Sequence, residues 1–180
     1  IRQLVLIGGG SGITPLYSII KSTLNLEPKT EVLLIYANKS SADIIFKNDL
    51  IKLSKQFKNF NWINILEQED GMKSTNYLGR PTESMVYSIL EQSNVSVQTQ
   101  YFICGPEAMM EIIKSGLDQF GVVPEQIQIE KFVGNHLIEN LKGSNEVSMA
   151  ILLDGTTHDL NINGDHPILD QVLLAGIDMP

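Results

Sequence analysis

The sequence predicts an α/β domain over residues 1–133: a doubly wound, five-stranded parallel sheet with helices on both faces. Three observations predict it. Short apolar runs alternate with segments whose apolar residues recur at helical spacing, the pattern of consecutive β–α–β units. The first run ends in a glycine-rich turn, GGGSG, and a helical stretch opens behind it. Three turns of marked composition each follow an apolar run, so they meet at the carboxyl edge of the sheet, where such folds hold their ligands.

The elements follow in order. Residues 4–7 (LVLI) are a short apolar run of the kind found in central parallel strands. Pro15 is read as the first helical residue, and residues 15–24 then place Leu16, Ile19, Ile20 and Thr23 on one side of a helix. Residues 32–36 (VLLIY) form the second strand. Within residues 44–57, Leu50, Leu53 and Phe57 keep helical spacing, and residues 62–66 form the third strand. Thr82 and Glu83 supply a cap and a first-turn acid for a helix running through Met85, Val86, Ile89 and Leu90. Residues 101–104 are the fourth strand, residues 107–120 a helix and residues 127–132 the fifth strand. Right-handed crossovers then put helices on both faces.

The pattern changes beyond residue 133. GNHLIENLKGSNE is polar and glycine-containing, which sets a linker over residues 134–145. VSMAILLDGTTHDLNI reads as two short strands around Asp154-Gly155, a hairpin signal. HPILDQVLLAGIDMP reads as a helix closed by Gly176. This β–β–α piece, residues 146–180, is too small to hold a good core alone.

Composition removes several classes of function. Hydrophobic residues make up 43% of the 180 and charged residues 19%, which is globular rather than disordered. A formal net charge of -8 without basic blocks argues against nucleic acid or an anionic membrane as partner. No apolar run has the length of a membrane span. Cys104 is the single cysteine, which excludes an internal disulfide framework and any multi-cysteine zinc or iron–sulfur site within these residues. His136, His158 and His166 lie in polar segments without ligand spacing and are expected at the surface, with no metal site. A reducing, cytoplasmic setting fits the cysteine usage.

The chemistry sits in the three turns. In the first, Gly10 and Gly12 permit tight geometry and close approach of a ligand. Thr14 is a good N-cap and Pro15 suits the first helical position. The exposed N–H groups and the helix dipole favour an anion such as a pyrophosphate. The alternative is an ordinary strand-to-helix turn, since the spacing is G-x-G-x-x-P rather than G-x-G-x-x-G. In the second turn, Asn38, Lys39, Ser40 and Ser41 stand where an NAD-specific protein would carry an acid. A cation with hydroxyls suits a 2′-phosphate, which leans toward NADP. Asp43 could instead serve a ribose diol, or simply cap the next helix. The third turn is Cys104-Gly105-Pro106, which alone reads as a buried small side chain and a helix start.

Taken together, GGGSGITP, YANKSSADIIF, YLGRP, YFICGPEAMM and IEKFV occur in the order and spacing of the ferredoxin–NADP reductase family, which residues 1 to about 133 resemble. Residues 146–180 resemble the start of a plant-type [2Fe–2S] ferredoxin domain of β-grasp type, and the whole resembles oxygenase reductases ordered flavin, nucleotide, ferredoxin. The resemblance implies roles at matching positions. Gly10, Ser11, Gly12, Ile13, Thr14 and Pro15 would hold the pyrophosphate of NADP or NAD. Asn38, Lys39 and Ser40 would face the adenosine ribose. Cys104, with Gly105 and Pro106, would lie beside the nicotinamide, where Cys104 and Glu130 would place and tune the ring. Met109 would line the adenosine side, Phe132 the flavin edge, and Arg80 matches a Gly-Arg element of the family.

The sequence also departs from that pattern. It carries neither the family's flavin motif nor a cysteine-rich cluster loop, so these residues are not expected to hold FAD or [2Fe–2S] themselves. The expectation is a fragment of a longer reductase, inactive alone, that positions NAD(P)H for hydride transfer to FAD. Electrons would then pass through [2Fe–2S] to an oxygenase or other acceptor protein. An exposed strand edge in residues 146–180 could pair two copies into a homodimer. The rival expectation is a nucleotide-sensing regulatory domain of the same fold that carries no electrons.

Overall fold

The computed structural model describes residues 2–68, 77–96, 98–132, 147–163 and 166–177. The chain divides into two compact units, Ile1–Phe132 and Val133–Pro180. The expected linker and His136 lie outside the described residues.

The first unit is built on a six-stranded parallel sheet. Its strands are β1 (Gln3–Gly9), β2 (Glu31–Asn38), β3 (Phe60–Leu66), β4 (Tyr77–Leu78), β5 (Gln100–Cys104) and β6 (Ile127–Glu130), in the order β4-β3-β2-β1-β5-β6. The expected count of five strands is corrected to six. The extra strand, β4, pairs Tyr77 with Ile65 and Leu78 with Leu66. Two residues are too few to show a period of two, so nothing in the sequence marks them as a strand.

The helices are α1 (Ile13–Leu26), α2 (Lys47–Gln56), α3 (Glu83–Gln92) and α4 (Glu107–Phe120). Alternate residues of each strand point to opposite faces, and this sorts the core into two layers. Leu4, Leu6, Leu34 and Tyr36 pack with Ile13, Leu16 and Ile20 of α1 and Leu50 of α2. Val5, Ile7, Leu33, Ile35 and Ile103 pack with Val86 and Ile89 of α3 and Ile113 and Leu117 of α4. Each fully buried side chain of this kind contributes about 1.5–3 kcal/mol. Gly116 sets how closely α3 and α4 approach: a Cβ there would stand 2.9 Å from Val86 Cβ and 3.1 Å from the Glu83 carbonyl oxygen.

Several element boundaries differ from expectation: β1, β2 and β3 extend beyond the apolar runs that marked them, and two other differences touch the site. α1 begins at Ile13, not Pro15, because residues 10–12 already wind as a 3-10 turn and Gly12 is in the right-handed helical region (φ −59°). Thr14 is therefore inside the helix rather than its cap, and Pro15 is the third helical residue, still within the turn whose N–H groups have no intrahelical acceptor. β6 stops at Glu130, two residues short of Phe132. The expected cap at Thr82 is present, its hydroxyl accepting from Met85 N–H at 3.2 Å.

The strand order decides where a ligand sits. From β1 the chain steps outward through β2, β3 and β4, then crosses back to lay β5 on the other side of β1. The carboxyl ends of β1 and β5 thus face a crevice at the point of reversal, the place where open α/β sheets bind ligands.

The second unit is an antiparallel hairpin, β7 (Val147–Leu153) and β8 (Thr156–Ile162), followed by α5 (Ile168–Leu174). Asp154 and Gly155 both take positive φ, 48° and 79°, as a type I′ turn requires. Gly176 (φ 78°) ends α5. There Ile177 N–H donates to the Val172 carbonyl and Gly176 N–H to the Leu173 carbonyl, a Schellman closure.

Candidate functional site

The crevice is built from three turns. In the first, Gly10 takes a positive φ of 53°, and neither the 3-10 turn nor α1 has a side-chain cap on its N–H groups. The Thr14 hydroxyl, which could have served as a cap, donates backward to the Ser11 carbonyl at 3.0 Å. Ser11 is exposed and Ile13 is buried as the anchor of the turn. What remains is a turn without a side-chain cap at the positive end of a 14-residue helix, its Ile13 N–H taken by the Gly10 and Ser11 carbonyls and its Ser11 on the exposed side, a site that favours an anion.

The third turn closes against the first through missing side chains. A Cβ on Gly12 would fall 2.1 Å from the Cys104 carbonyl oxygen. A Cβ on Gly9 would meet Met109 Sδ at 2.5 Å and Pro106 Cδ at 3.1 Å. One on Gly105 would meet Met109 Cε at 2.6 Å and the Gly9 nitrogen at 3.0 Å. The glycines of GGGSG and CGP are thus needed by one another: they let β1 and β5 turn over in contact.

Beside this seam lies a cleft of about 490 Å³, lined by Gly9, Gly10, Ala37, Asn38, Lys39, Asp43, Glu67, Arg80, Pro81, Pro106, Ala108, Met109 and Ile112. Asn38 stands at its floor, 7% exposed, with neither Nδ2 nor Oδ1 hydrogen-bonded. A buried amide left so costs about 1–3 kcal/mol, a cost a bound ligand would relieve. Four charges ring the cleft. Arg80 Nε pairs with Glu67 Oε1 at 3.2 Å. Asp43 is held by Ser40, whose N–H and hydroxyl donate to its Oδ2 at 3.0 and 2.7 Å. The Ser40 hydroxyl also accepts from Ala42 N–H, completing a capping box. Lys39 is exposed, and no carboxylate of the described residues pairs with it.

Cys104 ends β5, fully buried, in register with Gly8 on one side and Glu130 on the other. Burial pushes its thiol pKa up, and the Glu130 carboxylate pushes it further the same way. The thiol therefore stays protonated at neutral pH, so Cys104 is a shaped wall rather than a nucleophile. Glu130 is exposed at the end of β6, and Phe132 is 53% exposed.

The structure thus gathers the sequence-expected residues into two groups. Gly10, Asn38, Lys39, Arg80, Pro106 and Met109 line the cleft. Ser11, Gly12, Ile13, Thr14 and Pro15 form the donor turn beside it, with Cys104 and Gly105 packed against Gly12. Ser40 reaches the cleft only through Asp43, and Glu130 and Phe132 do not line it. Sequence reading missed Glu67 and Ile112, which carry no motif, Ala108, to which YFICGPEAMM gave no role, and Tyr36, whose hydroxyl donates to the Gly10 carbonyl at 2.7 Å. Among the described residues no group of three or more His, Cys, Asp or Glu could hold a metal ion. No helix among them is long and apolar enough to cross a membrane.

Comparison with known proteins agrees with the fold. The family model described as oxidoreductase NAD-binding domain matches residues 6–115. A component of the 1,2-phenylacetyl-CoA epoxidase of Escherichia coli (strain K12) is 29% identical over 179 residues, covering 97% of this chain and 50% of that protein. The ferredoxin reductase component of 3-ketosteroid-9-alpha-monooxygenase from Rhodococcus rhodochrous is 27% identical over 195 residues, covering 99% and 51%. Among solved structures, the cytochrome P450 reductase of Amycolatopsis superposes with a TM-score of 0.63 at 26% identity, covering 73% of this chain and 38% of that one. The ferredoxin NADP+ reductase of Neisseria gonorrhoeae, solved with FAD and NADP, shares the fold at a TM-score of 0.60 and 22% identity, covering 73% and 56%. The chain spans about half the length of these curated relatives.

Proposed function

The chain belongs to the oxidoreductase NAD-binding domain family, and from that premise we propose that it is the nucleotide-docking part of an NAD(P)H-dependent electron-transfer reductase. The observation that carries this reading is the uncapped glycine turn beside a buried, unsatisfied Asn38 amide at the point of strand reversal. The Ser11 N–H and the positive end of α1 receive the pyrophosphate. Adenosine fills the cleft between Asn38, Lys39 and Met109, and ribose hydroxyls satisfy the Asn38 amide. The nicotinamide end lies over Cys104 and Gly105. NAD(P)H bound there supplies a hydride; the chain's own residues bind, orient and exclude water, and none need act as acid or base.

The rim favours a cofactor with a free ribose diol. Its two cations face two carboxylates, Asp43 and Glu67, with Arg80 already engaged by Glu67 and the Ser40 hydroxyl engaged by Asp43. A 2′-phosphate would bring two further negative charges to a rim whose charges already balance, with Lys39 as the remaining partner. The motif YANKSS alone suggested NADPH; these pairings shift the preference toward NADH.

The rest of the electron path is proposed for the whole protein. There FAD would accept the hydride, with Phe132 at the flavin edge and Glu130 beside the nicotinamide. Single electrons then pass through [2Fe–2S] to an oxygenase, in keeping with the epoxidase and monooxygenase relatives. The sole cysteine, buried in β5, cannot supply the four thiolates of such a cluster, so its ligands are sought outside these residues. Residues 1–133 are proposed as the nucleotide domain, 134–145 as a linker and 146–180 as the start of a ferredoxin-like domain, in a cytoplasmic protein.

Calorimetric titration with 5′-ADP and, separately, 2′,5′-ADP at low salt tests the reading. Binding of 5′-ADP at least as tight as that of 2′,5′-ADP is expected. Tighter binding of 2′,5′-ADP would reassign the cofactor to NADPH. No binding of either at millimolar concentration would sink the nucleotide reading.

A further inference from the structure

We propose that Tyr36 is a positioning residue for the pyrophosphate: its buried hydroxyl holds the Gly10 carbonyl inward and so aims the Ser11 N–H at the anion. This rests on the nucleotide reading above and adds a residue to which the motif YANKSSADIIF assigned no role.

Tyr36 lies within β2, fully buried, in register with Gly8 of β1. A Cβ on Gly8 would come within 3.7 Å of Tyr36 Cδ2 and 2.9 Å of Leu16 Cδ1. The bare Gly8 backbone therefore leaves the space that the ring uses to cross β1. At the far side the Tyr36 hydroxyl donates to the Gly10 carbonyl at 2.7 Å. The Ile13 N–H donates to the same carbonyl, so both its lone pairs are occupied.

That carbonyl belongs to the peptide unit whose N–H is that of Ser11. No peptide bond among the described residues is cis, and in a trans peptide the C=O and N–H point in opposite directions. Fixing the carbonyl inward fixes the Ser11 N–H outward. Gly10 itself resists little: it has positive φ, and nothing stands within 4 Å of its Cβ position. A glycine that any side chain would have restrained is restrained instead by a hydroxyl from the neighbouring strand.

The same hydroxyl ties the turn to the adenosine side. Burial raises the Tyr36 pKa, while a hydrogen bond from the Ile45 backbone and the adjacent Asn38 amide lower it. One phenol thus touches the glycine turn after β1, the end of β2 and the loop ahead of α2.

A tyrosine that merely filled the core would be replaced by phenylalanine without consequence for ligands. The test is Tyr36→Phe, with affinities for 5′-ADP and adenosine measured beside the parent chain, and with the Ser11 amide followed by heteronuclear NMR. The variant is expected to bind 5′-ADP about fivefold more weakly, the worth of one hydrogen bond, and to keep its adenosine affinity within about twofold. The unliganded Ser11 resonance should move, and its response to inorganic pyrophosphate should shrink. Unchanged 5′-ADP affinity would overturn the assignment, and so would an equal loss for 5′-ADP and adenosine, which marks a general structural role. A parent chain that binds no 5′-ADP would overturn the nucleotide reading and this assignment with it.

Discussion

Gly12→Ala is expected to destabilise the first unit by about 3 kcal/mol or more, at the upper end of the cost of overpacking. The backbone of Gly12 is ordinary helix (φ −59°), so alanine is not conformationally strained there. The cost is contact. The added methyl would stand 2.1 Å from the Cys104 carbonyl oxygen, 2.5 Å from its carbon and 2.8 Å from the Gly105 nitrogen. All three are backbone atoms in or beside a central strand, and none can rotate away as a side chain could. Either α1 lifts from β5 or β5 loses its register with β1. A loss of this size lowers the melting midpoint by roughly 6–12 °C for a domain of this length. Gly10→Ala is the comparison, because it meets nothing within 4 Å and bears only its positive φ, worth about 1–2 kcal/mol. Thermal unfolding of both variants should give that order; a Gly12→Ala change under about 0.5 kcal/mol would show that the two turns are not in contact.

Ser11→Asp is expected to move stability and binding in opposite directions. Ser11 is exposed within the 3-10 turn that leads into α1, and neither segment has a side-chain cap. A carboxylate there faces the positive end of the helix and should stabilise the fold by about 0.3–1 kcal/mol. The same carboxylate would occupy the place proposed for the pyrophosphate and repel its charges. Like charges about 5 Å apart at a partly solvated surface cost a few kcal/mol, so 5′-ADP affinity should fall on the order of 100-fold. A higher melting point with lost binding separates a ligand site from a merely structural turn. If melting point and affinity both stayed as in the parent, the turn would not be the anion site.

Much of this could be read from the chain because local chemistry and tertiary role coincide. Residues 4–7, 32–36 and 101–104 are hydrophobic throughout and became central strands, buried but for Phe102, which is half-buried. Thr82 followed by Glu83 became a cap with a first-turn acid, and Asp154-Gly155 became a turn with both φ angles positive. Where the two levels separated, the sequence was silent or misleading. Thr14-Pro15 has the composition of a helix start, yet the helix had begun at Ile13 because Gly12 joined it. Ser40 looked free to meet a phosphate, but its hydroxyl is used by Asp43 three residues on. Glu67 reaches the cleft from the end of β3, a placement set by strand order that no local pattern encodes. Tyr36 is indistinguishable in sequence from any apolar strand residue; only the sheet register, which puts Gly8 opposite it, reveals a path for its hydroxyl.

In the reading proposed above, a nicotinamide dinucleotide lies across the carboxyl edge of the sheet with its pyrophosphate against the Ser11 N–H at the positive end of α1. An amide-resolved NMR titration of this chain with NAD+ tests it most directly. The Ser11, Gly12, Ile13 and Thr14 amides are expected to shift and saturate with one dissociation constant, shared by Asn38, Lys39 and Met109. Saturable binding that left the amides of residues 11–14 unmoved, with shifts gathered elsewhere on the sheet, would contradict it.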